Sequence, residues 1–215
     1  NLLSPEDFII TLKRKKYKFA IFHNLSNCYE YEDWEENSLT DVLEMGAGTG
    51  LFSVALASRY PDKCIAAVDV KADRLQYGAQ IAERKSIANL KFLRARADQL
   101  CDLFSDHSLS EIWITFPDPF PKERSAKHRL THNDYLETYY RLLKPDGAIY
   151  FKTDSLSLFH WSLERLCYEK WRIEEISFDL HESVLNEDYK TTTTYEKKYM
   201  LEGKRINFLK ARPPL

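Results

Sequence analysis

No long apolar run, no cysteine cluster and no strong excess of either charge is present in this chain of 215 residues. Apolar stretches are short and interrupted by charge, which excludes a membrane-spanning helix. Cys28, Cys64, Cys101 and Cys167 lie far apart and form no C-x-x-C pair. That spacing argues against a zinc cluster or a disulfide framework and fits a reducing compartment, so the cytoplasm is the expected location. The chain opens Asn1-Leu2-Leu3 without Met. Its natural start is therefore expected upstream, and no basic head followed by an apolar run marks a secretory leader. What is present is ordinary for a globular domain: 44% apolar and 30% charged residues. Collagen-like, mucin-like and wholly disordered chains are excluded.

With 31 basic and 33 acidic residues the formal charge is −2, and the total alone indicates no nucleic-acid partner. The distribution is less even. Lys13, Arg14, Lys15, Lys16 and Lys18 form one basic run, and Glu30, Glu32, Asp33, Glu35 and Glu36 an acidic one. Lys122, Arg124, Lys127 and Arg129 form a second basic group, and Lys197, Lys198, Lys204, Arg205, Lys210 and Arg212 a third. Basic groups of this kind can follow a phosphate backbone, although charge runs are more often solvated faces.

Strand and helix patterns alternate along the chain. Apolar runs at 40–45, 64–70, 90–95, 111–116 and 148–153 read as strands. Segments 50–60, 72–86, 98–104 and 156–169 read as helices, the last with Leu156, Phe159, Leu163 and Leu166 on one stripe. Thr131 to Asp134 reads as a capping box opening another helix, with Leu130 and Tyr135 as its hydrophobic staple. Lys144-Pro145-Asp146-Gly147 reads as a turn, and the tail, at 172–180 and 195–211, as two further strands joined by a long loop. No linker or repeat interrupts the chain. An N-terminal segment, 1–36, is expected before one domain over 37–215. Alternation of this kind implies a parallel sheet with helices on both faces, and ligands then bind beyond the carboxyl ends of the strands.

The strand ends carry the chemistry. Glu44-Met-Gly46-Ala-Gly48-Thr-Gly50 follows the first strand. Alternate glycines let the backbone turn sharply and approach a ligand closely. The dinucleotide fingerprint G-x-G-x-x-G fails, because its third glycine would be Leu51. Asp69 ends the second strand and can accept hydrogen bonds from ribose hydroxyls. Asp98 follows the third strand, where it either accepts from an adenine amino group or caps the next helix. After the fourth strand, Pro117, Pro119 and Pro121 surround Asp118 and stiffen its turn.

The E-x-G-x-G-x-G pattern resembles the first motif of methyltransferases that use S-adenosylmethionine. Residues 118–131, DPFPKERSAKHRLT, resemble the DPWPKKRHxKRRL signature of bacterial tRNA (guanine-N7-)-methyltransferases. Phe151-Lys-Thr-Asp154 resembles that family's F-x-T-D, and Thr193-Thr-Tyr-Glu196 its T-x-Y/F-E. The resemblance implies a Rossmann-like class I methyltransferase fold, with a mostly parallel seven-stranded sheet and an antiparallel C-terminal hairpin. It implies methyl transfer from S-adenosylmethionine to N7 of the guanine at position 46, in the variable loop of tRNA. Glu44, Gly46, Gly48, Gly50, Asp69, Asp98 and Asp118 would then bind the cofactor, and Asp118 would be the catalytic acid. Lys122, Arg124, Lys127, Arg129, Asp154, Thr193 and Glu196 would hold the tRNA, with Asp118, Asp154 and Glu196 sharing the guanine edge. No metal or membrane is expected as a partner, and a monomer or homodimer is. Phe120 stands where the family usually has Trp, Ser125 where it has His, and Glu123 and His128 where it has basic residues. These departures bear on RNA affinity more than on chemistry. The alternatives are a methyltransferase acting on another RNA, a protein or a small molecule, or a tRNA-binding subunit without catalysis.

Overall fold

A computed structural model describes residues 2–10, 12–35 and 39–215. Eight strands form one sheet: β1 (Cys28–Glu30), β2 (Val42–Met45), β3 (Ile65–Asp69), β4 (Leu90–Arg94), β5 (Leu109–Thr115), β6 (Leu143–Thr153), β7 (Arg172–Ser177) and β8 (Asn207–Arg212). Their order across the sheet is β1-β4-β3-β2-β5-β6-β8-β7. All pairings are parallel except β6 with β8 and β7 with β8. This is the Rossmann-like class I methyltransferase arrangement, with one strand beyond the seven expected. The extra strand, β1, comes from the N-terminal segment and pairs with β4. The expected boundary at residue 36/37 lies outside the described residues.

The central strands lack polar–apolar alternation because both of their faces are covered. Leu43, Ala66, Val68 and Ile112 point into one core with α4 (Leu100–Leu103), α5 (Asn133–Leu142) and α6 (Leu156–Tyr168). Val42, Ile65 and Ala67 point into the other with α1 (Lys13–Asn24), α2 (Leu51–Arg59) and α3 (Ala72–Arg84). Strand β7, by contrast, alternates exposed and half-buried residues, as an edge strand does. The chain reverses direction across the sheet beside β2. β3 lies on one side and β5 on the other, and such a switch point opens a crevice above the strand ends.

Several local expectations are corrected. The cap of α5 is His132, whose ring accepts from the Asp134 N–H. Leu130 and Tyr135 therefore do not occupy the staple positions. Thr131 is buried, and its hydroxyl pairs with Ser162 on α6 at 2.6 Å, because a buried hydroxyl must find a partner. Residues 144–147 do not end the helix–strand unit as a free turn. They loop out within β6 opposite Ser110, since Leu109 pairs Leu143 while Glu111 pairs Ala148. On α6 the buried face is Leu158, Phe159, Ser162 and Leu166, and Leu156 is exposed. In the tail, only the end of the expected second strand exists, as β8. Residues Thr194–Leu201 form α7, started by Thr193, whose side chain accepts from the Glu196 N–H at 3.1 Å.

Candidate active site

The glycine turn is the first wall of the site. Gly46, Gly48 and Gly50 have φ of +69°, +57° and +71°, a region that favours glycine strongly. A Cβ on Gly46 would lie 2.6 Å from Leu130, and one on Gly50 would lie 2.5 Å from the Phe92 ring. At Gly48 nothing lies within 4 Å. The turn is thus pressed on two sides and open at its tip. Asp69 holds the tip, one carboxylate oxygen accepting from the Gly48 N–H at 2.8 Å and the other from the Lys71 N–H at 2.9 Å. Each oxygen keeps a lone pair for a further donor.

Glu44 lies under the same turn and is buried. Its carboxylate accepts from the Ser53 N–H at 3.2 Å, from the Ser53 hydroxyl, and from the Thr115 hydroxyl at 2.7 Å. One side chain thereby joins the ends of β2 and β5 to the start of α2. Burial pushes the carboxyl up to about 7, against the opposing effect of these hydrogen bonds. A carboxyl raised in the folded state contributes fully below its ordinary value of 4.5, and that contribution is lost as pH rises through 7. Glu44→Gln is therefore expected to gain stability over the wild type between pH 5 and 8, by on the order of 3 kcal/mol. The amide oxygen keeps the Ser53 donors, and the amide nitrogen can donate to Thr115. Urea unfolding at the two pH values checks this, and parallel stability–pH curves for the two proteins would contradict it.

The second wall follows β5. Phe116 and Phe120 flank Asp118 with φ of +49° and +42°, an uncommon conformation for aromatic residues. Two anchors hold the loop there. The Phe116 N–H donates to the Lys152 carbonyl at 2.9 Å. The guanidinium of Arg129 donates to the Pro119 and Phe120 carbonyls, at 3.2 and 2.9 Å, and stacks on Trp161 at 4.5 Å. Asp118 itself is exposed, and its carboxylate accepts no hydrogen bond from a described residue.

Glu44, Gly46, Gly48, Asp69, Asp98, Asp118, Lys127 and Thr193 line one cleft of about 1100 Å³. Other expected site residues do not. Gly50 sits behind the turn, against Phe92. Lys122 and Arg124 are exposed at the 3₁₀ turn that includes Lys127, outside the cleft lining. Arg129 is buried, and its donors serve the loop backbone rather than a phosphate. Asp154 does not line the cleft and is paired with Lys204 at 3.0 Å. Glu196 is fully buried and bound to Lys152 and His181, so it does not reach the cleft at all. Asp98 does not cap α4. Its carboxylate takes two hydrogen bonds from Arg96, at 2.8 and 2.9 Å, which hold it below the usual carboxylate range.

The sequence reading missed Lys71, Arg74, Arg96, Tyr135, Tyr195 and Tyr199, which line the cleft. Lys71 and Arg74 carried a signal, following a strand-end acid, and so did Tyr195, inside the Thr193–Glu196 motif. Among the described residues, no group of three or more His, Cys, Asp or Glu side chains could hold a metal ion. No described helix is long and apolar enough to cross a membrane.

A positive-φ glycine turn at the sheet's switch point, with an acid at each neighbouring strand end, defines a class I methyltransferase. Residues 38–209 match the family model described as a putative methyltransferase, and the chain belongs to that family. It is 40% identical over 177 residues to a tRNA (guanine-N(7)-)-methyltransferase of Brevibacillus brevis, covering 81% of this chain and 82% of the relative. A relative of the same description from Bacteroides thetaiotaomicron is 33% identical over 220 residues, covering 94% and 86%. The chain is a member of the tRNA (guanine-N7-)-methyltransferase family. The fold alone is shared with a 16S rRNA (adenine(1408)-N(1))-methyltransferase from Catenulisporales acidiphilia, at a TM-score of 0.59 and 12% identity, over 99% of this chain and 94% of that one.

Proposed function

We propose that this protein methylates N7 of the guanine at position 46 of tRNA, using S-adenosylmethionine held on the glycine turn. The observation that carries the proposal is Asp118, a carboxylate with no partner among the described residues, on a braced loop in the same cleft as that turn. The turn's open tip at Gly48 fits a bulky ligand, and the lone pairs left on Asp69 fit ribose hydroxyls. The first N–H groups of α2 fit a carboxylate. Asp98, at the rim, fits the adenine amino group. The bound donor supplies a methyl group already activated by a sulfonium.

Guanine N7 has a free lone pair, so the protein needs no base. Its task is positioning, which is worth roughly 7–11 kcal/mol in favourable cases. Asp118 would accept hydrogen bonds from N1–H and N2–H₂ of the guanine. Methylation leaves the purine cationic and its N1–H more acidic, so a carboxylate there binds the transition state more tightly than the substrate. Of the three carboxylates expected at the guanine edge, only Asp118 lines the cleft. Lys127 and the exposed Lys122 and Arg124 would meet phosphates as the base is drawn out of the folded RNA.

The test is incubation with isotope-labelled donor and unmodified tRNA, followed by mapping of the label. One methyl per tRNA is expected, at N7 of position 46, and none when that guanine is replaced by adenine. Label on an exocyclic amine, at another position, or on protein alone would refute the proposal.

A further inference from the structure

We propose that Lys152, Glu196 and His181 form a buried clamp that seats the start of α7 on the cleft, making Glu196 and Lys152 positioning residues rather than contacts to the nucleobase. Lys152 lies on β6, two residues before Asp154, and has no exposed surface. All three of its donors are accounted for. Its ammonium reaches the Thr191 carbonyl at 2.8 Å and the two Glu196 carboxylate oxygens at 3.1 and 3.3 Å. The Nε2 of His181 lies 2.8 Å from the same carboxylate. Glu196 is also fully buried, so a guanine could touch it only by breaking these bonds.

The position of Lys152 gives the clamp its consequence. Its backbone carbonyl anchors Phe116, the entry to the Asp118 loop. Its side chain anchors the segment that carries Thr193 and Tyr195, both lining the cleft. One residue therefore sets the two walls relative to each other. Arg59 fixes the outer part of the same segment, through Asp188 at 3.0 Å and Thr191 at 3.5 Å. A well-packed apolar pair would hold a helix to a sheet at least as firmly as a buried ion pair. What the ion pair adds is direction: it ties one carboxylate and one carbonyl to one ammonium, and so fixes the register of residues 191–196 on β6.

The inference rests on the guanine reading of the cleft, and its test separates the two. Full-length Glu196→Gln, Lys152→Met and the double variant are assayed for tRNA KM, for S-adenosylmethionine Kd by calorimetry, and for thermal midpoint. Each single variant leaves a group unpaired inside, so tRNA KM is expected to rise by about tenfold or more, with the donor Kd within about threefold of wild type. The double variant removes both charges, so its thermal midpoint is expected to recover toward wild type, but with the ties between residues 191–196 and β6 gone its tRNA KM is expected to stay raised. A Lys152→Met protein that keeps the wild-type tRNA KM while Glu196→Gln does not would overturn the clamp, because Glu196 would then be needed at the base itself. If Lys152→Met does not fold, amide hydrogen exchange of Glu196→Gln decides. Faster exchange over residues 191–199, with β2 to β5 unchanged, supports the clamp, and unchanged exchange there overturns it. A methyl found on another atom would refute the guanine reading and leave the exchange result standing.

Discussion

Asp118→Ala is expected to lower kcat/KM for tRNA by on the order of 10²- to 10⁴-fold, with the donor Kd within about threefold of wild type. The size follows from the two charge-assisted hydrogen bonds proposed between Asp118 and a desolvated base, each worth roughly 1.5–3 kcal/mol. Fold stability should hardly change, because Asp118 is exposed and its carboxylate is bound to no described residue. Its thermal midpoint is expected within about 2 °C of wild type. Asp118→Asn keeps one acceptor and loses the negative charge, and should fall between the two. Steady-state kinetics with saturating donor, together with calorimetry, check the result. An alanine variant turning over within about threefold of wild type would remove the central carboxylate from the account.

Gly78→Ala is expected to give the largest loss of donor binding for the smallest chemical change. Gly78 lies on α3, far from the glycine motif in sequence, yet an added Cβ would sit 2.2 Å from the Thr49 carbonyl oxygen. The same Cβ would stand 3.1 Å from the Phe92 ring, which already presses on Gly50. A backbone carbonyl cannot swing aside as a side chain can, so either α3 or the turn must shift. Overpacking of this kind costs roughly 1–3 kcal/mol, or about 2–10 °C in thermal midpoint for a chain of this size. Because the part displaced is the turn proposed to hold the donor, donor Kd should rise by about tenfold or more. Calorimetry on the purified variant checks it. Wild-type Kd in Gly78→Ala would mean that the turn's position does not govern binding.

The glycine motif was legible in the sequence, but Gly78 was not. A turn that needs positive φ announces itself through glycines at fixed spacing, because the requirement is local. The need for a glycine on α3 arises only when helix and turn come together. The same contrast runs through the fold. The parallel strands β2 to β5 could be read from their apolar runs, because strands covered on both faces have no alternation to obscure them. The pattern at 195–211 reads as a strand, yet Thr194–Leu201 form helix α7, and Thr193 and Glu196 have the spacing of a capping box. Half of that box forms. The Glu196 backbone N–H meets the Thr193 hydroxyl, while its carboxylate turns inward to Lys152.

The sequence by itself determined the strand–helix order from β2 to α6, the sharp turn at 46–50 and the acids at the strand ends, since backbone conformation and burial period are properties of neighbouring residues. Tertiary structure decided which charged groups remain free. Arg129 and Glu196 carry the same charges in the chain as Lys127 and Asp118, but packing satisfies the first two inside the protein and leaves the others in the cleft. A charge buried among partners 9 to 44 residues away cannot be distinguished by local pattern from one left for a ligand. Only the folded positions of Phe120, Trp161, Lys152 and His181 make that distinction.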